Sequence, residues 1–111
     1  MSTTWQVYTA VDTRDDAVRL ARLAVQDGLA ASGQILGPAT TMMWRQGSYV
    51  EIEEWRLTFI TIENRLDGLH DLLLDKHTRD QPQVTGVRVD SIAADYETSI
   101  HRAIDLDSHG E

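Results

Sequence analysis

The stretch Gly37–Ile62, GPATTMMWRQGSYVEIEEWRLTFITI, decides the fold. Gly37-Pro38 marks a bend or bulge, Thr40 to Trp44 is strand-like, and Gln46-Gly47-Ser48 reads as a hairpin turn. From Tyr49 the chain is extended again. Trp55, Leu57 and Phe59 alternate with Arg56 and Thr58, the pattern of a half-buried strand. Ile60 and Ile62 break the polar alternation on the second face, which suggests that this face meets a partner subunit. Counting the entry segment from Ser32, the hairpin runs to Ile62. An arm of that length projects beyond a small domain unless something covers it, and homo-oligomerisation is the economical cover.

Working outward, Trp5–Val11 (WQVYTAV) is aromatic and β-branched and reads as a strand. Thr13 with Asp16 resembles a capping box, and Asp15 and Asp16 suit the positive end of a helix. Ala17, Leu20, Ala21, Ala24 and Val25 recur at helical spacing, and Gly28 follows as a C-cap, so a helix is expected over 13–27. Leu29–Leu36 leads into the second strand. Leu66, Leu69 and Leu73 place a helix over Glu63–Lys76, somewhat weakened by Gly68. Val84–Ile92 (VTGVRVDSI) reads as the last strand. Ala93–Ile104 reads as a C-terminal helix with Tyr96, Ile100 and Ala103 or Ile104 on one face, and 105–111 as a frayed polar tail. The order β-α-β-β-α-β plus a helix is an α+β, ferredoxin-like split βαβ arrangement with two helices on one face of an antiparallel sheet.

The chain has 111 residues and 41% hydrophobic residues, enough for one domain, 1–111, with a real core. Cysteine is absent, which removes disulfides, thiolate catalysis and sulfur metal ligands. The net charge of −8 argues against nucleic-acid binding and favours cations or a basic partner. The first residues show no signal-peptide pattern, and no stretch approaches the ~18 apolar residues of a membrane span. The expectation is a cytoplasmic protein that engages neither membrane nor nucleic acid.

Four stretches, in order, resemble the CutA family of divalent-cation tolerance proteins over about Val7 to Ile100. YTAVDTRDDAVRLARLAVQDGLAASGQI is similar to its first strand, helix and Leu-Ala-Ala-Cys segment. TTMMWRQGSYVEIEEWRLTFIT is similar to its Ser-x-Tyr-x-Trp-x-Gly hairpin and the Glu-containing strand that follows. HTRDQPQVTGVRV resembles its His-Pro-Tyr-Glu-x-Pro-Glu segment, and AADYETSI its closing Asn-x-x-Tyr-x-x-Trp-Ile segment. The resemblance implies a homotrimer with hairpins joined across subunits and ligand clefts between them. It also implies a link to tolerance of, or response to, copper and other divalent cations, with no enzymatic activity established for the family as a whole. Trp44, Gly47, Glu54, His77, Pro82 and Tyr96 are retained. Ser32 stands where the family has Cys, and Thr41, Met43, Ile60, Thr78, Arg79 and Asp80 also depart from the pattern.

His77 is the first site candidate. Imidazole suits Cu or Zn and moves protons near neutral pH, while a His at a helix end also stabilises the C-terminus by its charge. Asp75 and Asp80 are its nearest carboxylates in sequence. Glu54 points with Ile52 and Arg56, where it could act as a general base, bind a cation, or pair with an Arg across a subunit interface. Trp44, Trp55 and Tyr96 either line a ligand pocket or serve packing, with Trp55 in the core and Trp44 at a subunit contact. The expected ligand-binding set is Trp44, Glu54, His77, Asp80 and Tyr96. His77 is the expected ligand of a Cu or Zn ion, and Glu54 and His77 are the candidate catalytic groups. Three functions compete: a trimer binding a divalent cation or small ligand in inter-subunit clefts, a pathway enzyme on the same trimer with a general base in the cleft, and a purely structural or partner-binding trimer.

Overall fold

In the computed structural model, which describes residues 3–107, seven elements follow one another: β1 (Thr4–Val11), α1 (Arg14–Gln26), β2 (Ser32–Arg45), β3 (Ser48–Ile62), α2 (Glu63–Lys76), β4 (Thr85–Arg88) and α3 (Ala94–Asp107). The strands form one antiparallel sheet in the order β2-β3-β1-β4, the split βαβ arrangement.

β3 is the spine. It pairs with β1 from Trp55 to Ile62 and with β2 along nearly its whole length. Because successive side chains point to opposite faces, Leu57 and Phe59 meet Val7 and Val11 of β1 on one face. There α1 contributes Ala17, Leu20 and Ala24, and α2 contributes Leu69 and Leu73, all fully buried. Trp55 packs against this core from its margin. On the other face Ile62 is covered by Ile100 and Ile104 of α3, with Ile60 and Ile92 at the edge of that cluster. The apolar residues on the second face therefore meet a helix of their own chain, where the sequence suggested a partner subunit.

Local chemistry sets the element ends. The Thr13 hydroxyl caps α1 by accepting from the Asp16 N–H, 3.1 Å away. At the other end the Leu29 N–H reaches the Ala24 carbonyl and the Gly28 N–H that of Val25, the paired bonds of a Schellman motif. Gly28 sits at φ 73°, where a side chain is strained. The hairpin turns through Gln46 and Gly47, both at positive φ, as a two-residue connection requires if the strands are to keep their twist.

β2 is longer and β4 shorter than the sequence suggests. β2 is continuous through Gly37-Pro38 because these two residues form a bulge opposite Trp55. Pro38 lacks an N–H, and a bulge on an edge strand is where that costs least. Gly37 has no room for a side chain, since a Cβ there would lie 2.8 Å from the Trp55 ring. Only Thr85–Arg88 of the expected last strand pairs with β1, and Val87 is exposed. α3 runs through 105–107, which the sequence assigned to a frayed tail, while 108–111, with His109, lie outside the described residues. The Cα radius of gyration is 14.8 Å, above the roughly 13 Å expected of a compact chain of this length. The excess comes from the hairpin, whose outer half carries exposed Met42, Trp44 and Tyr49.

Substituting Gly28→Ala forces a side chain into the left-handed conformation and should lower stability by ~1 kcal/mol. Urea unfolding followed by circular dichroism measures it, and an unchanged midpoint would show that the cap tolerates a Cβ.

Candidate functional site

The segment after α2 ties together the two faces of the sheet. His77 ends the helix in extended conformation, and its Nε2 lies 2.9 Å from the Thr9 hydroxyl. Thr9 is fully buried on the helix-covered face, beside Leu57. His77 Nδ1 accepts the Arg79 backbone N–H at 3.1 Å. An acceptor nitrogen carries no proton, so the neutral ring is protonated on Nε2, which donates to Thr9. Arg79 then passes the end of β1. Its Nε and Nη2 donate to Asp12 at 3.2 and 2.7 Å, and the same Nη2 reaches Glu54 on the opposite face at 3.1 Å.

Glu54 is only 3% exposed. Thr41 donates to its Oε2 at 2.8 Å from the neighbouring strand, and Arg56 donates to the same oxygen at 3.2 Å. Thr41 can do so because the bulge sets the register that brings it diagonally across from Glu54. Burial by itself would push the Glu54 carboxyl up. The Thr41 hydroxyl, Arg79 and Arg56 outweigh burial and hold it below the usual carboxylate range. Two Arg side chains that pair with Glu54, Arg56 and Arg79, come from its own chain.

These groups floor a cavity of about 760 Å³, walled by the hairpin (Thr41, Met43, Trp44, Arg45) and the loop after α2 (Thr78, Arg79, Asp80, Gln81, Gln83). Trp44, Glu54 and Asp80 are therefore brought together. His77 stands behind the cavity and acts on it through Arg79. Tyr96 is elsewhere: it borders a separate cavity of about 300 Å³ with Thr4, Gln6, Ile60 and Ile92. His70 lies beside Gly86 of β4, also away from the site. Arg79, Asp12, Arg56 and Thr9 complete the network, and sequence reasoning gave none of them a role. The signal was a lone Arg placed two residues after the candidate His, in a loop with carboxylates on either side.

The donor set does not fit a cation held by one chain. Both His77 nitrogens and both Glu54 oxygens have partners, and among the described residues no three His, Asp or Glu groups converge on a point.

The His77 ring is held below its ordinary pKa of 6.5, first by burial and then by the Arg79 charge; the Ala10 carbonyl, Asp12 and Asp16 pull the other way and are outweighed. Protonating Nδ1 would also displace the Arg79 N–H.

The CutA1 divalent ion tolerance protein family matches residues 5–103. No curated protein sequence matches. Among solved structures, CutA1 from Ehrlichia chaffeensis superposes with a TM-score of 0.89 at 15% identity, covering 94% of this chain and 97% of that one. CutA from Synechococcus elongatus gives 0.87 at 25% identity, covering 94% and 92%. The periplasmic divalent cation tolerance protein CutA from Archaeoglobus fulgidus gives 0.86 at 17% identity, covering 91% and 98%. Among the described residues no helix is long and apolar enough to cross a membrane.

Removing the Glu54 charge leaves Arg79 without its buried partner. Glu54→Gln should cost ~3 kcal/mol, the low end for breaking a buried pair, because Arg56 is partly solvated. Chemical denaturation at neutral pH measures it, and a loss under ~0.5 kcal/mol would mean that the network does not hold the loop.

Because the folded His77 binds its proton less readily than the unfolded one, stability contributed by the neutral ring is present above pH 6.5 and is lost as pH falls through the lower folded value. The difference in stability between native protein and His77→Gln should narrow by up to ~1.4 kcal/mol per pH unit in that window. Denaturation midpoints at a series of pH values measure this, and parallel curves would remove His77 as the titrating group.

Proposed function

The chain belongs to the CutA1 divalent ion tolerance protein family, and from that premise we propose that it binds a small polar ligand in the cavity beneath its hairpin, as a homotrimer, in a metal-tolerance or regulatory role. The observation that carries this reading is Glu54. A carboxylate 3% exposed, held by Thr41, Arg56 and Arg79 at the floor of a cavity of about 760 Å³, is a pre-formed polar recognition surface. Such a network holds its donors at fixed positions, which serves recognition more than stability. Met43 adds an apolar wall.

Two features support the trimer. β2 presents a free edge of fourteen residues, and the hairpin exposes Leu36 (61%), Met42 (60%), Trp44 (74%) and Tyr49 (55%). Side chains of that size, on an arm that projects from the rest of the sheet, call for a cover, and a second copy supplies it. The clefts then lie between subunits. A Cu or Zn ion held there needs donors from more than one copy, since one chain does not assemble them.

The enzymatic reading draws less support. Glu54 is held strongly ionised by two guanidinium groups and is a weak base at neutral pH. The free pair of the His77 ring is already given to the Arg79 N–H.

Light scattering of the intact protein should give the mass of three chains, and Trp44→Asp should shift it downward. A native monomer would remove the trimer. Thermal unfolding across a library of small polar metabolites and divalent salts tests the ligand. At a hundredfold excess over Kd a true ligand adds about 2.7 kcal/mol, and Glu54→Gln should not respond to it. A flat response across the library in the native protein would sink the reading.

A further inference from the structure

The family of this chain is named for divalent ions, yet the place in the chain best suited to one is already filled. Two carboxylates approach each other at the cavity floor, Asp12 from the end of β1 and Glu54 from β3. Both lie within hydrogen-bond reach of a single atom, Arg79 Nη2, at 2.7 and 3.1 Å. Hard divalent cations are held by carboxylate oxygens that converge in this way. Here a guanidinium nitrogen stands between them. It is fixed from several sides. Arg79 Nε also donates to Asp12 at 3.2 Å, the Arg79 backbone N–H donates to His77 Nδ1 at 3.1 Å, and His77 Nε2 is anchored on Thr9 at 2.9 Å. With Arg56 on the other Glu54 oxygen, two guanidinium groups meet two carboxylates, and the cluster carries no net charge to draw a dication.

We infer that Arg79 is the resident cation of this site: its tethered guanidinium fills the gap between Asp12 and Glu54 and closes it to divalent ions. Arg keeps its charge at every ordinary pH, so the closure is permanent. An entering dication has to displace a group carried by the same chain, and meets a unit positive charge at close range until it does. His77, the residue expected to bind a metal, serves the opposite end, because its Nδ1 holds the Arg79 backbone in place. A role in ion tolerance then runs through something other than capture of an ion at Glu54. The inference does not depend on the small-ligand reading of the cavity above this floor.

The test is isothermal titration of the intact protein and its variants with Ca(II), Mn(II), Zn(II) and Cu(II), with thermal unfolding in the same salts. The native protein should show no binding that Glu54→Gln removes. Arg79→Ala vacates the gap. It should take Ca(II) or Mn(II), which prefer oxygen ligands, at one per chain and at least about a hundredfold more tightly than the native protein, and its unfolding midpoint should rise with the ion. Adding Asp12→Asn to Arg79→Ala should abolish that response. Arg56→Gln removes the same charge beside Glu54 but leaves the gap filled, and should stay as silent as the native protein. Arg79→Gln, a milder change, is read in the same way if Arg79→Ala does not fold. Divalent-ion binding in the native protein that is lost in Glu54→Gln would overturn the inference and leave the cavity as a binding site. Indifference of the Arg79 variants to every ion would overturn it too, as would an equal response in Arg56→Gln, which would make Arg79 one charge among others. A flat metabolite library would remove the small-ligand reading and leave this inference standing.

Discussion

A carboxylate that water barely reaches must be neutralised where it stands, and Glu54 sets that condition for this chain. The response draws on three separate parts of the sequence. Thr41 comes from β2, Arg56 from β3 two residues beyond Glu54 itself, and Arg79 from the loop after α2. Arg79 is itself fixed by Asp12 at the end of β1 and by its backbone bond to His77. One buried charge thus joins the hairpin, the central strand, the end of β1 and the loop. Its net contribution to stability is modest, because desolvation of the charges offsets most of their attraction. What it confers is position: the cavity wall and floor are held in one arrangement.

The bulge at Gly37-Pro38 makes that arrangement possible. An extra residue in β2 switches which side chains point to which face. Before the bulge Ile35 joins the helix-covered core opposite Leu57; after it Thr41 faces the Glu54 side, and Trp44 pairs with Tyr49 across the hairpin. If the same residues paired in regular register without the bulge, Thr41 would lie opposite Glu51 on the other face and Glu54 would lose a donor. Gly37 is needed there because the Trp55 ring lies against its backbone. A packing constraint in the core thereby fixes a polar contact in the cavity.

The same geometry separates this chain from a cation site built on one protomer. The groups most suited to a divalent ion, His77 and Glu54, are the ones most fully occupied by their neighbours. Ser32, where the family has Cys, is exposed at the start of β2 and adds no soft ligand. Membership of a divalent ion tolerance family and the donor set of a single chain thus point in different directions.

The sequence by itself determined the elements and their order. Alternation in β3, the Thr13 cap, Gly28 and the Leu66–Leu69–Leu73 spacing are local signals, and local signals survive in a one-dimensional reading. It also put Glu54 on the Arg56 face and gave His77 the end of a helix, since both follow from periodicity. Only the tertiary structure decided what those two residues touch. Arg79 meets Glu54 across 25 positions and Asp12 across 67, and nothing in a loop sequence states which strand end it will wrap. Likewise Tyr96 left the site because α3 packs over Ile62 at the far end of the second face, a choice made by shape and burial rather than by any motif.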